Sequence, residues 1–201
     1  MISTYQLKPK FQELLRPIAN ALYQLGFTPN QVTIAAILLS ANLGLLLLLH
    51  RITPVFLLVI PLGLFFRMAL NALDGMMAKE HKMQTQTGEI LNEMGDIISD
   101  LCLIIPLACI SNLHPAIVLA FAFLTVLNEF SGVLGKAING IRRYDGPMGK
   151  SDRTLLIGVF CIVFYYWNGI LAYANWIFLA ACGLLILSSV IRLKQIISDN
   201  K

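Results

Sequence analysis

Charged residues are scarce in this chain of 201 residues. Only 13% of the residues are Asp, Glu, Lys or Arg, whereas 57% are hydrophobic, and the mean hydropathy is +0.74. Such a composition lies outside the usual range of soluble domains and inside that of polytopic membrane proteins. The length allows one domain, and we assign residues 1–201 to it.

Cysteine is also scarce, and its spacing excludes two common uses. Cys102, Cys109, Cys161 and Cys182 lie within apolar runs, with no CxxC pair and no neighbouring histidine. Neither a disulfide framework nor a zinc site is indicated, and the four thiols are predicted to be small core residues. The first 30 residues lack an uninterrupted apolar core, so a cleaved signal peptide is not predicted.

Hydrophobic runs predict six membrane-spanning helices. A hydrocarbon core of roughly 30 Å needs about 20 apolar residues per helix. Single runs cover 32–49 and 53–73, and two more begin near 88 and at 115. The apolar segment 155–191 is too long for one span, and polar and aromatic residues at 165–176 divide it. The predicted fold is an all-α polytopic membrane protein with a six-helix bundle at 29–196.

The distribution of basic residues predicts the orientation. With six spans, both termini lie on one side of the membrane, and that side receives thirteen of the fifteen Lys and Arg residues. By the positive-inside rule this side is cytoplasmic. The net charge of +4 then indicates contact with anionic membrane lipids or substrates. No nucleic acid partner is predicted, because no soluble basic domain is present.

Residues 5–26 precede the first span and show a helical pattern. Apolar side chains recur at helical spacing, at Phe11, Leu14, Leu15, Ile18, Leu22 and Leu25. We expect an amphipathic helix in the cytoplasmic membrane interface or, alternatively, a helix packed on the bundle. Gly26 can end this helix, and Thr28, Pro29 and Gln31 predict an N-cap, an N1 proline and a capping box for the first span.

Carboxylates and carboxamides are concentrated at the cytoplasmic ends of the second and third predicted spans. They are Asn71 and Asp74, then Glu89, Asn92, Glu93, Asp96 and Asp100. Carboxylates at this depth are costly unless they meet cations or line a polar cavity. Oxygen ligands without a nearby thiolate or imidazole suit a hard divalent cation such as Mg²⁺ or Mn²⁺. Alternatively, these groups only cap the helices and solvate an interfacial loop.

A basic loop lies between the fourth and fifth predicted spans. Its candidate functional cations are Arg142, Arg143, Lys150 and Arg153. One interpretation is that they bind an anionic acceptor such as a sugar phosphate or polyol phosphate. The other is that they anchor the loop at phospholipid headgroups. Glu129, in the fourth span, is either part of the polar cavity or a buried partner for Lys136 or Arg67.

The spacing within 71–96 resembles that of the CDP-alcohol phosphotransferase (CDP-alcohol phosphatidyltransferase) family. Members carry DxxDGxxARx8GxxxDxxxD across their second and third membrane helices. The eight matching positions here are Asn71, Asp74, Gly75, Ala78, Lys79, Gly88, Asn92 and Asp96. Two motif aspartates are thus asparagines and the motif arginine is a lysine, so the chain is identified as a divergent member.

The resemblance implies an enzyme of phospholipid biosynthesis. It would transfer a phosphatidyl or other substituted phosphoryl group from CDP-diacylglycerol, or another CDP-alcohol, to a hydroxyl of a small polar acceptor and release CMP. The implied ligands of Mg²⁺ or Mn²⁺ are Asp74, Asp96, Asn71 and Asn92, and Asp96 is also the implied base. The implied CDP-binding residues are Asn71, Asp74, Gly75, Ala78, Lys79 and Gly88.

The two asparagines leave an alternative open. Loss of two ligand charges weakens the second ion of a two-metal site most, although Asp100 or Glu93 are candidates to supply the missing charge. The alternative is a catalytically weakened member that binds a lipid, a nucleotide or a cation, or serves as a scaffold. The resemblance also implies a bacterial inner (cytoplasmic) membrane location, a cytoplasmic active site and a homodimer.

Overall fold

The computed structural model describes residues 4–199, and side chains within 11–199. The first three and last two residues of the predicted domain lie outside this range. The described part folds into seven α-helices without a strand, as the prediction of an all-α protein requires. They are α1 (Thr4–Gln24), α2 (Pro29–Leu48), α3 (Phe56–Glu80), α4 (Gln86–Ile104), α5 (Pro115–Asn139), α6 (Lys150–Tyr166) and α7 (Ala174–Ser198). Short 3₁₀ turns occupy Leu49–Arg51, Ile105–Cys109 and Asn168–Ala172.

The junction between α1 and α2 follows the predicted capping signals. Gly26 adopts a φ of +84°, and the Phe27 N–H donates to the Leu22 carbonyl at 3.0 Å, which closes the end of α1. The Thr28 side chain accepts from the Gln31 N–H, and the Gln31 side chain accepts from the Thr28 N–H at 2.9 Å. The capping box is therefore confirmed.

Helix α1 both packs on the bundle and leaves apolar side chains uncovered. Leu15 and Ala19 are buried, and the Arg16 guanidinium lies 3.3 Å from Glu80 at the end of α3. On other sides Leu14 and Leu25 are 71% and 74% exposed. The helix is as predicted, while its location in the membrane interface stays a prediction.

Two apolar clusters hold the helices together. The larger one contains fully buried residues of α2 to α7 and includes Phe121 and Phe178, whose rings meet edge to face at 5.4 Å. The smaller one joins α1, α2 and α3 next to Asp74. At Gly44, a Cβ would lie 2.1 Å from the Cys102 carbonyl oxygen, so only glycine permits this close approach of α2 and α4.

Within residues 4–199, four helices are long and apolar enough to cross a membrane. They are α2 with the turn that follows it (Pro29–Arg51), α3, α5 and α7, with hydropathies of 2.0 to 2.4. Helices α4 and α6 are shorter, with 19 and 17 residues, and both carry charged side chains near their first turns. The count of six spans therefore stays a prediction.

The cysteines only partly follow the expectation of core residues. Cys161 and Cys182 are buried, and Cys102 is half-buried. Cys109 is exposed, because it ends the 3₁₀ turn that follows α4 and lies outside the packed helices.

Candidate active site

Asp74, near the end of α3, and Asp96, in the first half of α4, lie close enough for their charges to interact. Asp74 is only 5% exposed and Asp96 only 7%. The Thr33 hydroxyl on α2 donates to Asp74 Oδ2 at 2.9 Å, and the Lys150 ammonium donates to Asp96 Oδ1. The charges of Asp96 and Lys150 both act on Asp74. Two carboxylates and one ammonium therefore share one largely buried site.

The other motif residues of α3 border open space. Gly75 is exposed, and a Cβ built there would meet no atom within 4 Å. Asn71 and Ala78 are half-buried and Lys79 is exposed. Within the described part of the chain, the Asn71 carboxamide and the Lys79 ammonium make no hydrogen bond or ion pair. These residues leave room and polar groups for a ligand beside Asp74.

The motif residues at the start of α4 have different surroundings. Gly88 packs closely on α2, since a Cβ there would lie 2.7 Å from Asn30 Oδ1. Asn92 is half-buried, and its carboxamide has no hydrogen-bond partner among residues 11–199. Gly88 thus brings the first turns of α2 and α4 together, while Asn92 offers an oxygen that is not otherwise engaged.

The donor set fits one divalent cation rather than two. Among the described residues, no group of three or more His, Cys, Asp and Glu side chains is arranged to hold a metal. Asp74 and Asp96 each have one oxygen engaged, and the Asn71 and Asn92 carboxamides are unengaged. Mg²⁺ is commonly held by one or two carboxylates together with water. This set therefore suffices for one such ion and lacks the negative charge for a pair.

Six charged side chains near the site, buried or partly buried, form a series of ion pairs, here called the arginine–carboxylate chain. In order of contact it contains Arg67, Asp100, Arg153, Glu129, Arg142 and Glu93. Its N···O distances lie between 2.5 and 2.8 Å. Three positive and three negative charges balance, as burial requires. The arginine–carboxylate chain connects α3, α4, α5, α6 and the loop before α6.

The arginine–carboxylate chain changes the roles expected for three carboxylates. Asp100 and Glu93 were candidates to add charge at the metal site, but both are already neutralised by arginines. Glu129 was expected either to belong to the polar cavity or to pair with Lys136 or Arg67, and the pairing with these two residues is wrong. Its partners are Arg142 and Arg153, at 2.8 and 2.5 Å. Lys136 instead pairs with Glu89 on α4.

All four cations predicted for acceptor binding have carboxylate partners. Arg142 and Arg153 belong to the arginine–carboxylate chain, Lys150 contacts Asp96, and Arg143 contacts Asp199 and, at 3.8 Å, Asp145. Burial alone would lower the pKa of the Arg142 guanidinium in this loop, but Tyr144, Glu93 and Glu129 raise it above its usual value. An anion that binds here has to share these cations with the carboxylates.

Thr33 belongs to the site although no pattern in the sequence predicts its role. It follows the capping segment of α2, and its hydroxyl can bond Asp74 only because α2 packs along the end of α3. Lys150 is the first residue of α6, where the sequence predicts a loop cation. Its contact with Asp96 bridges 54 positions of sequence, for which no local spacing gives a signal.

Thr33→Val is expected to destabilise the protein by about 1–3 kcal/mol. Valine has nearly the shape of threonine but no hydroxyl, so Asp74 loses a buried hydrogen-bond donor. The matched control is Thr125→Val. The Thr125 hydroxyl is buried and has no partner among the described residues, so its loss should be neutral or stabilising. Thermal unfolding in detergent measures both variants, and equal melting temperatures would contradict a structural role for the Thr33–Asp74 bond.

The site and the fold define a known class of membrane protein. The sequence model of the CDP-alcohol phosphatidyltransferase family matches residues 27–187. The chain therefore belongs to the CDP-alcohol phosphatidyltransferase family, which confirms the resemblance of its motif.

Individual relatives agree with this assignment. The inner membrane protein YnbA of Escherichia coli (strain K12) is 42% identical over 196 residues, which cover 98% of this chain and 97% of that protein. The crystal structure of Mycobacterium tuberculosis phosphatidylinositol phosphate synthase (PgsA1) with CDP-DAG bound has a TM-score of 0.74 at 22% identity, covering 90% of this chain and 92% of that chain. The same synthase with manganese and citrate also gives 0.74 at 22% identity, covering 90% and 87%. The two crystal structures show a shared fold.

Proposed function

We propose that this protein transfers a phosphatidyl or other substituted phosphoryl group from a CDP-linked donor to a hydroxyl of a small polar acceptor, with release of CMP. The observation that carries the proposal is that the buried Asp74 and Asp96 lie within electrostatic reach of each other, beside the open space at Gly75. Family membership supports the reaction class. The CDP-DAG in the related synthase supports CDP-diacylglycerol as the donor.

Asp96 is the proposed general base. It takes the proton of the acceptor hydroxyl, whose oxygen attacks the phosphorus that carries the lipid. The bond between this phosphorus and the CMP oxygen breaks, and CMP leaves with the electron pair. Lys79 binds donor phosphate as a point charge, and Gly75 and Ala78 let the diphosphate approach the backbone of α3.

Asp74, Asp96, Asn71 and Asn92 are the proposed ligands of one Mg²⁺ or Mn²⁺. When bound, the ion supplies positive charge for the diphosphate. The manganese in the related synthase supports such a site. Gly88 contributes indirectly, because its close packing on Asn30 fixes the start of α4, which carries Asn92 and Asp96.

For the acceptor, Arg142, Arg143 and Arg153 remain the proposed binding residues, and the fourth predicted cation, Lys150, contacts Asp96. Each already contacts a carboxylate, so a phosphorylated acceptor must share these cations. An uncharged polyol needs no such rearrangement. Both kinds of acceptor therefore belong in the assay.

The proposed membrane arrangement has six spans, α2 to α7, with α1 in the interface and the chain as one domain. Both termini and the active site face the cytoplasm, as the thirteen Lys and Arg residues on that side favour. The inner-membrane relative supports a bacterial inner membrane location. The proposed assembly is a homodimer, and cysteine-specific cross-linking in membranes would test it.

The proposal is tested by CMP release from CDP-diacylglycerol by the detergent-purified protein. Mg²⁺ or Mn²⁺ is supplied together with serine, polyols or polyol phosphates, and donor without acceptor is the control. We expect release that requires both a divalent cation and one class of acceptor. Folded protein that releases no CMP with any acceptor would contradict the proposal and favour the non-catalytic binding role.

A further inference from the structure

Lys150 points its ammonium into the site although its position in the helix is unfavourable for a cation. It is the first residue of α6, and the N-terminal end of a helix carries partial positive charge. Its side chain is nevertheless only 26% exposed, and its ammonium contacts Asp96 and acts on Asp74. A cation that served only lipid headgroups would extend towards solvent instead.

Among the three charged groups that interact here, Asp74, Asp96 and Lys150, one negative charge is uncompensated, whereas Lys79 is exposed and its charge is screened by solvent. Asp74 and Asp96 contribute two negative charges and Lys150 contributes one positive charge. The nearest further carboxylates cannot change this balance. Glu93 is paired with Arg142, and Asp100 is paired with two arginines. Two divalent ions would therefore leave a large excess of positive charge in a buried site, whereas one ion leaves a small excess that suits an anionic donor.

Asn71 and Asn92 agree with this charge balance. Both are neutral oxygen donors within the motif, and neither carboxamide is engaged among the described residues. Aspartates at these two positions would give the site three uncompensated negative charges, enough for a second cation. The two asparagines and Lys150 therefore both make the site less negative.

We propose that the Lys150 ammonium is a built-in cation of the active site, which replaces one divalent ion in binding the donor diphosphate. The site then takes up a single exchangeable divalent ion. This inference rests on the proposed function, because that function is what makes the ligand a diphosphate.

This role also explains the contact between Lys150 and Asp96. Without donor, the ammonium is neutralised by Asp96. A bound diphosphate offers more negative charge, and the flexible lysine stem allows the ammonium to move to it. Asp96 is then freed to accept a proton from the acceptor hydroxyl, so donor binding precedes activation of the acceptor.

The test is Mn²⁺ binding to the detergent-purified protein, measured by electron paramagnetic resonance without donor or acceptor. We expect the wild type to bind one ion per chain. Lys150→Met should bind Mn²⁺ about tenfold more tightly or better, because a repelling charge beside the ion is removed. Lys150→Arg keeps the charge and should bind close to the wild-type level. Lys150→Gln should increase the Mn²⁺ affinity by the same factor, and it replaces Lys150→Met in the test if the methionine variant does not fold.

The matched control is Lys194→Met, which removes the same charge from an exposed position near the end of α7. Its Mn²⁺ affinity should equal that of the wild type. Equal affinities in Lys150→Met and Lys194→Met, or two ions bound by the wild type, would overturn the proposal. Since this measurement needs no turnover, failure of CMP release would reject the proposed function without altering the result for the built-in cation.

Discussion

Asp96→Asn is expected to reduce CMP release at least about a hundredfold, because the carboxamide cannot accept the proton of the acceptor hydroxyl. The protein should still fold, since the asparagine oxygen can accept the hydrogen bond that Lys150 gives to Asp96. Initial rates of CMP release at saturating donor measure the effect.

The control for this substitution is Glu13→Gln. It removes the same charge from an exposed position on α1. Its rate should remain within about twofold of the wild type, as is usual for solvated surface charges. An Asp96→Asn variant that is folded and retains a similar rate would contradict the assignment of Asp96 as the base.

Local structure could be predicted from the sequence because its signals are local. The capping box at Thr28 and Gln31 and the division of 155–191 into two helices depend on neighbouring residues. The same holds for the motif, whose members lie within two consecutive helices. Asp74 and Asp96 could therefore be assigned to one site before any contact was known.

Partners across the fold could not be predicted in this way. Asp96 and Asp100 are one turn apart on the same stripe of α4, yet Asp96 meets Lys150 whereas Asp100 meets Arg67 and Arg153. Arg67 and Arg153 are 33 and 53 positions away from Asp100. Charge has no periodicity over such distances, so only the tertiary fold, in which α3 and α6 pack on each other and their arginines reach Asp100, decides between the two carboxylates.

The partner of Glu129 was missed because the loop after α5 folds back. Gly140 has a φ of +73° at the end of α5, and the Arg143 N–H then donates to the Gly132 carbonyl at 3.1 Å. A Cβ at Gly132 would lie 2.7 Å from the Arg143 carbonyl oxygen, so glycine is required for this approach. The returning loop brings Arg142 to Glu129 in place of Lys136.

Arg153→Met is expected to destabilise the protein by about 3–5 kcal/mol, the usual cost of breaking a buried ion pair by removing one partner. Arg153 is 1% exposed and lies between Asp100 and Glu129, at 2.6 and 2.5 Å. Each carboxylate would keep one other arginine, but the buried charges would no longer balance. Thermal unfolding in detergent measures the change.

Two further variants make this prediction specific. Arg143→Met removes an arginine whose partners Asp199 and Asp145 are 37% and 38% exposed, so it should cost less than about 1 kcal/mol. Combining Arg153→Met with Glu129→Gln should recover much of the stability, because the one excess negative charge is removed as well while Asp100 keeps its pair with Arg67. Equal losses in Arg153→Met and Arg143→Met would contradict the structural role of the arginine–carboxylate chain.

The same substitution connects stability to the site. Arg153 lies one turn after Lys150 on α6, and its ion pairs with Asp100 and Glu129 connect that helix to α4 and α5. Without them the start of α6 can move, and with it the ammonium that contacts Asp96. We therefore expect Arg153→Met to increase the KM for the donor even at temperatures where the variant is fully folded, whereas Arg143→Met should leave this KM unchanged. A donor KM that is identical in the two variants would show that the position of Lys150 does not depend on Arg153.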